Sequence, residues 1–509
     1  MKKRLIPTVC VLSLSLALGG CSATPVDQLS RWLPGGFDEN QTYLSQVDKA
    51  YRPATTGIGP KADRLRTQSE SYGLIDYPAL EAFLNRHLDR LKTASGLTGL
   101  EGRAYVSADR GFSAKTTADG NIYIPLEMLN DLDNEHEVAA LLSHELAHAM
   151  LNHNDADLFV RLQKKAVYAT AFVSSLGNET DTLPASETRR IRNMLSMALV
   201  SDGFLNPGWS RHQEGVADRL GLDLMIEAGY NPEGMSLMLA KVQAWEQKND
   251  AIAAEREANR QAMLTAASEQ AGVDLEKQFS LAMGDITTRL NSLFKRFAEN
   301  HPDIDKRIEE NAEYSAAHYR RAARPPMNDI EWASLMDTPR SQALVRSVAL
   351  IDEAKALYQA GRFDDAATIA LSAVNDDTQH QNHVRLTLAE IRREQNQSGS
   401  VLANAEYGLQ GNYPAYKLHY YNDVLRATNK DGLAASLEQL NTTFADYGKP
   451  PQHYKELITL SETVGNKALS TNLSLECELK YLGEAVACRP GEVDQTQGFS
   501  YNRVVDSLL

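Results

Sequence analysis

The chain has 509 residues and a formal net charge of −15 at pH 7, with 43% hydrophobic and 23% charged residues. That length accommodates about two to four domains, and the composition is globular rather than fibrous or disordered. The acidic balance argues against nucleic acid or anionic headgroups as partners, and no stretch after the N-terminal segment is apolar enough to predict a membrane-spanning helix.

Met1–Arg4 is a charged leader and Leu5–Leu18 an apolar run too short to span a bilayer. It ends in Leu18-Gly19-Gly20-Cys21, which resembles a bacterial lipobox. On that resemblance residues 1–20 are a lipoprotein signal peptide, Cys21 becomes the lipidated N-terminus, and Ser22 after it favours the outer membrane. The alternative is an ordinary signal peptide with an incidental cysteine, which leaves the mature protein soluble in the periplasm. Residues 21–67 are rich in Pro, Gly and polar residues and read as a tether with a peripheral segment. Tyr77–Ala94 has helical spacing through Leu80, Phe83, Leu84, His87, Leu88 and Leu91. Ala104–Ser107 and Asn121–Pro125 are predicted strands, the second behind an Asp119-Gly120 turn. If exposed, that second strand could pair with an extended peptide; a plain structural strand is the other use.

His144-Glu145-Leu146-Ala147-His148 forms an H-E-x-x-H motif within Asn134–His153. Asn134 is the expected N-cap, Glu137 completes a capping box, and Val138, Leu141, Leu142 and Leu146 make the apolar stripe. On such a helix His144 and His148 share a face and can grip one ion, while Glu145 stands beside it as general base. A third ligand is needed. Leu151 and Asn154 occupy the positions where a metzincin has Gly and His, which excludes that class, and His153 falls roughly opposite His144 on the helix, a poor ligand candidate. Downstream, Arg211-His212-Gln213-Glu214-Gly215-Val216-Ala217-Asp218 lies on a second predicted helix. Glu214 can complete a His-His-Glu zinc site, and Asp218, one turn on, can accept the outer N–H of a ligand histidine.

H-E-L-A-H followed by R-H-Q-E-G-V-A-D-R-L-G and A-G-Y-N-P resembles the CAAX prenyl protease family of gluzincin metallopeptidases and its soluble bacterial relatives. G-N-I-Y-I before the motif and Asn300-His301-Pro302 after it also fit. A lipobox in front and helical repeats behind are similar to the periplasmic branch containing the beta-barrel assembly-enhancing proteases. The resemblance implies one Zn2+ per subunit, polypeptide substrates and a role in envelope-protein quality control or assembly. Arg211 and His212 are candidate oxyanion stabilisers. His301, presented by a proline-broken segment, is a candidate fourth zinc ligand that latches the site; a packing histidine is the alternative.

The expected fold is mainly α with a small β-sheet: a metallopeptidase domain at 68–320, a linker at 321–340, a tetratricopeptide-like repeat domain at 341–490 and a tail at 491–509. An insertion at about 248–285 reads as a helical hairpin, either a lid or a solvated addition. Val348–Val374 is the best repeat unit, with Ala354, Leu357, a Gly361 turn, Ala366, Ala370 and Ala373; weaker helix pairs follow. Such a domain offers a concave face to a protein partner, with outer-membrane assembly machinery the partner suggested by the resemblance. Tyr407, Tyr413, Tyr416, Tyr420 and Tyr421 belong either to that face or to the core. Cys477 and Cys488 are expected to be bridged in an oxidising compartment. The competing functional class is a chaperone or scaffold acting through the repeats, with a latched or inactive zinc site.

Overall fold

The computed structural model of the chain describes residues 37–38, 40–47, 58–69, 72–151, 153, 211–271, 304–327, 329–481 and 488. The expected signal peptide, Cys21, His301, the return arm of the insertion and the tail from 491 lie outside the described residues. Among those described, the chain is mainly helical with one three-stranded sheet. No described helix is long and apolar enough to cross a membrane.

In the N-terminal half, α1 (Pro60–Thr67) and α2 (Pro78–Ser95) precede β1 (Ala104–Ser107), β2 (Lys115–Thr116) and β3 (Ile122–Pro125). Helices α3 (Glu135–Met150), α4 (Arg211–Glu227), α5 (Glu233–Ala271) and α6 (Ile304–His318) follow. Proline opens α2, Gly96 closes it in the left-handed region at φ 66°, and the predicted stripe from Leu80 to Leu91 is buried. The sheet order is β1-β3-β2, with β1 parallel and β2 antiparallel to β3. β3 is therefore central and fully buried, which removes the expectation of an exposed strand at Asn121–Pro125. Its neighbour β2 takes the edge position beside α3.

Helix α3 starts as its sequence requires. The Asn134 side chain accepts from the N–H groups of His136 and Glu137. Glu137 answers by accepting from the Asp133 N–H, one residue earlier than a standard capping box, and from the Asn134 amide. Almost every α3 side chain is buried, because α4, α5, α2 and the sheet surround it. α4 crosses α3 at Gly221, where an added Cβ would lie 3.1 Å from the His144 backbone nitrogen. A glycine here lets the two helices that carry the motif residues approach closely.

α5 is one continuous helix of 39 residues rather than the first arm of a short hairpin beginning near 248. Its N-terminal part is pinned to the α3 entry loop: Lys241 pairs with Asp133 and Glu137, and the Trp245 indole donates to Asp131.

Two segments expected to be peripheral belong to the core. Tyr43 and Leu44 are buried against α4 and α6, with the Leu44 N–H donating to Asp223 and the Tyr43 N–H to the Tyr314 hydroxyl. Residues 58–69 form a seam rather than a tether. Asp63 on α1 accepts from Thr117, Asn121 and Tyr123 of the sheet region, whereas Arg66 and Gln68 bond the carbonyls of Gly448 and Pro414 in the C-terminal half. The proposed linker is likewise ordered. Helix α7 (Ile330–Met336) buries Trp332 on Phe83, and its indole N–H donates to the Leu132 carbonyl at 2.7 Å.

Beyond α7, helices pack in sequential pairs: Pro339–Gln359 with Phe363–Ser372, Asn382–Glu394 with Ser398–Gly408, Tyr416–Arg426 with Lys430–Asp446, and Tyr454–Val464 with Lys467–Tyr481. Gly361 makes the first inter-helix turn at φ 73°. Ala354, Ala366, Ala370 and Ala373 are buried between the helices, where small side chains permit close approach. Tyr416, Tyr420 and Tyr421 are core residues, Tyr413 packs on Tyr105 and bonds Glu81, and Tyr407 is exposed. Cys477 and Cys488 form a disulfide, with Cα atoms 5.6 Å apart and both side chains buried.

Candidate metal centre

Helix geometry puts His144 and His148 one turn apart on the face of α3 that meets α4. Their Nε2 atoms are 3.1 Å apart. From α4, Glu214 extends a carboxylate whose oxygens lie 3.6 Å from each of those nitrogens. Oε2 makes the contact to His144 and Oε1 the contact to His148. A tetrahedral ion with bonds of about 2.0–2.1 Å separates its ligand atoms by roughly 3.3 Å, so the two nitrogens and the carboxylate are spaced on the scale of such a site.

The outer nitrogens decide what the inner ones are. His144 Nδ1 is 2.9 Å from Asp218 Oδ1, and His148 Nδ1 is 2.8 Å from His153 Nδ1. A proton on each Nδ1 leaves two Nε2 lone pairs facing each other beside a carboxylate. Two nitrogen lone pairs and a carboxylate converging in a buried place favour positive charge between them. A proton on His144 satisfies one contact; a divalent cation satisfies all three, which is the fit expected of a His-His-Glu zinc set.

The charges around the triangle are balanced by a residue not anticipated from the sequence. Arg307 of α6 is buried, its Nε and Nη2 donate to the two oxygens of Asp218 at 2.7 Å each, and Nη2 also reaches Glu214 Oε2 at 2.9 Å. Burial would push the Asp218 pKa up, but the Arg307 charge and the bonds from His144 and Arg307 hold it well below the usual carboxylate range. Burial would likewise lower Arg307, yet Asp218 and Glu214 raise it further above its ordinary value. For His144 burial is outweighed by the bond and charge of Asp218 and by Glu214, so its pKa rises; burial and the neighbouring His144, His153 and Arg307 lower that of His148. Glu145 is 4% exposed; burial raises its pKa, opposed by His144 and by a hydrogen bond from Thr116.

Of the residues singled out from sequence, His144, Glu145, His148, Glu214 and Asp218 are thus brought together. His153 is not opposite His144 on a continuing helix: α3 stops at Met150 and the chain turns back, placing His153 against His148. There its Nδ1 meets the outer nitrogen of His148, away from the Nε2 atoms that face Glu214. Arg211 and His212 form the first turn of α4, and their side chains lie outside the described residues, as does His301. Arg307 and Thr116 carried no sequence signal beyond their type, since a lone Arg or Thr on an amphipathic element is commonplace. A second convergence, of His87, Glu135 and Glu331, is less suited to a cation, because Arg86 already pairs with the half-exposed Glu331.

Residues 78–315 match the family model described as peptidase family M48. That stretch is similar to the metalloprotease domain of peptidase family M48. Individual relatives are distant. The mitochondrial metalloendopeptidase OMA1 of Schizosaccharomyces pombe is 26% identical over 188 residues, covering 36% of this chain and 51% of that protein. The beta-barrel assembly-enhancing protease of Yersinia pestis is 22% identical over 178 residues, covering 35% and 36%. The metalloprotease YcaL of Escherichia coli is 26% identical over 133 residues, covering 26% and 47%. The chain spans between about a third and a half of the length of these curated relatives. The described residues that converge at the metal centre fall inside the matched stretch, and the paired helices lie C-terminal to it.

Proposed function

We propose that this protein is a zinc-dependent endopeptidase. The observation that carries the reading is the triangle of two Nε2 atoms and one carboxylate at 3.1, 3.6 and 3.6 Å, with each histidine held from behind. His144, His148 and Glu214 would hold the ion, and Asp218 and His153 would fix the two imidazole rings. Zinc bound there supplies a Lewis acid that brings a water toward ionisation at neutral pH and polarises a carbonyl. Glu145 sits one residue from His144 and is not part of the ligand triangle, so its carboxylate is available to accept a proton from the attacking water and return it to the departing amine. Arg211 and His212, at the start of α4, remain the candidates for stabilising the oxyanion.

Several finer assignments belong to the same proposal. The lipobox-like Leu18-Gly19-Gly20-Cys21 supports a lipid-anchored protease of the bacterial envelope. The name of the Yersinia relative, a beta-barrel assembly-enhancing protease, supports a role in quality control or assembly of outer-membrane proteins. The paired helices support a tetratricopeptide-like domain that engages a protein partner, and His301 is proposed as a latch on the fourth zinc position. The test compares the purified wild type with Glu145→Gln. Both should contain one zinc per chain, and only the wild type should cleave an unfolded polypeptide, with a chelator abolishing the activity. Equal cleavage by both proteins would end the peptidase reading. Zinc binding without cleavage by either would favour a scaffold acting through the repeats.

A further inference from the structure

The general base proposed above has a partner on the sheet. Thr116 Oγ1 lies 2.5 Å from Glu145 Oε2 and 3.2 Å from the Glu145 backbone carbonyl, and both residues are buried. We propose that Thr116 is the positioning residue of Glu145: its hydroxyl donates to Oε2, fixes the plane of the carboxylate, and leaves Oε1 to take the proton. The inference rests on the reading of Glu145 as general base.

Three features make Thr116 suited to this task. The terminal torsion of a glutamate is soft, so a carboxylate without a donor samples many orientations; one strong hydrogen bond selects among them. Threonine is β-branched, which restricts the torsion that aims its hydroxyl. Its backbone is also held by structure remote from the reaction. Thr116 is in register with Ile122 of the buried strand β3, and the next residue, Thr117, donates to Asp63 of α1 at 2.9 Å. Asp63 also accepts from Asn121 and Tyr123 on either side of Ile122. The hydroxyl is therefore carried by a strand clamped on both sides, and a preorganised donor costs little reorganisation when the proton moves.

Thr116→Val keeps the shape and strand preference but removes the donor, and Thr116→Ser keeps the donor. With an unfolded-polypeptide substrate, the Val variant should lose roughly 10- to 100-fold in kcat with KM within about twofold, as expected for one hydrogen bond to a charged group. It should still hold one zinc per chain. The Ser variant should recover most of the loss, and Thr116→Val introduced into Glu145→Gln should change nothing further. A Val variant with wild-type kcat, beside an inactive Glu145→Gln, overturns the positioning role while leaving the base intact. A rise in KM at constant kcat, or a Ser variant as impaired as Val, also overturns it, pointing to substrate contact or packing. Activity in Glu145→Gln itself would instead refute the base reading on which the inference stands.

Discussion

Arg307 offers a sharp test of how the metal centre is built. Its guanidinium is 6% exposed and spans two carboxylates through contacts of 2.7, 2.7 and 2.9 Å. Replacing it with Met preserves most of the volume but strands Asp218, which is 0% exposed, with only His144 to offset its charge. Removing one partner of a buried ion pair costs about 3–5 kcal/mol, because the remaining charge stays desolvated. Arg307→Met should therefore lower the unfolding free energy by about that amount, measured by denaturant titration of the metal-free protein. Zinc affinity, read by competition with a chromophoric chelator, should fall about 10- to 100-fold, the range for losing an outer partner of a ligand. Arg307→Lys should recover only part of both, since one ammonium cannot reproduce the fork across Asp218. Adding Asp218→Asn to Arg307→Met should cost less than the two single changes summed, because the stranded charge is gone. Stability within about 1 kcal/mol of wild type, together with unchanged zinc affinity, would refute the charge-balance account.

Two further outcomes follow from the fold. Trp332→Ala removes a 2%-exposed indole that packs on Phe83 and donates to Leu132, so it should cost about 3–5 kcal/mol by thermal or denaturant unfolding; a loss below about 1 kcal/mol would mean that α7 is a dispensable linker after all. His383 is 1% exposed, and burial, helped by the Lys355 charge, depresses its pKa from 6.5 to about 3. The folded state then binds fewer protons than the unfolded one, so this contribution is fully present above 6.5 and is lost as pH falls from 6.5 toward about 3. The slope is at most about 1.4 kcal/mol per pH unit. Subtracting the pH–stability curve of His383→Gln from that of the wild type isolates it, and a flat difference across that window would contradict the assignment.

The parts of the site legible in the sequence are those governed by local geometry. His144, Glu145 and His148 owe their relation to the α-helical repeat alone, and so do Glu214 and Asp218 on α4. Asn134 capped α3 as its side chain predicts, with Glu137 reaching one residue farther back than the usual box. His153 shows where local reasoning stops. Extrapolating the helix put it on the wrong side, whereas a helix end at Met150 and a turn bring it to His148. A helix terminus depends on what the next residues pack against, and periodicity does not carry that information.

The same division runs through the fold. Helical and extended segments were readable because burial periodicity is written along the chain. Strand order was not: β3 became central because β1 and β2 flank it, which depends on pairing between segments rather than on the alternation within one. Residues 58–69 look polar and loosely structured as a string, yet Asp63, Arg66 and Gln68 spend their polar groups on partners in both halves of the chain. By itself the sequence determined the chemical inventory of the metal centre and its spacing on two helices. Only the tertiary structure decided that those helices meet at Gly221, that Arg307 neutralises the carboxylates behind the triangle, and that Thr116 reaches Glu145. The reason is physical: helix spacing is set by bonds between near neighbours, whereas balancing a buried charge requires a partner that folding brings from elsewhere.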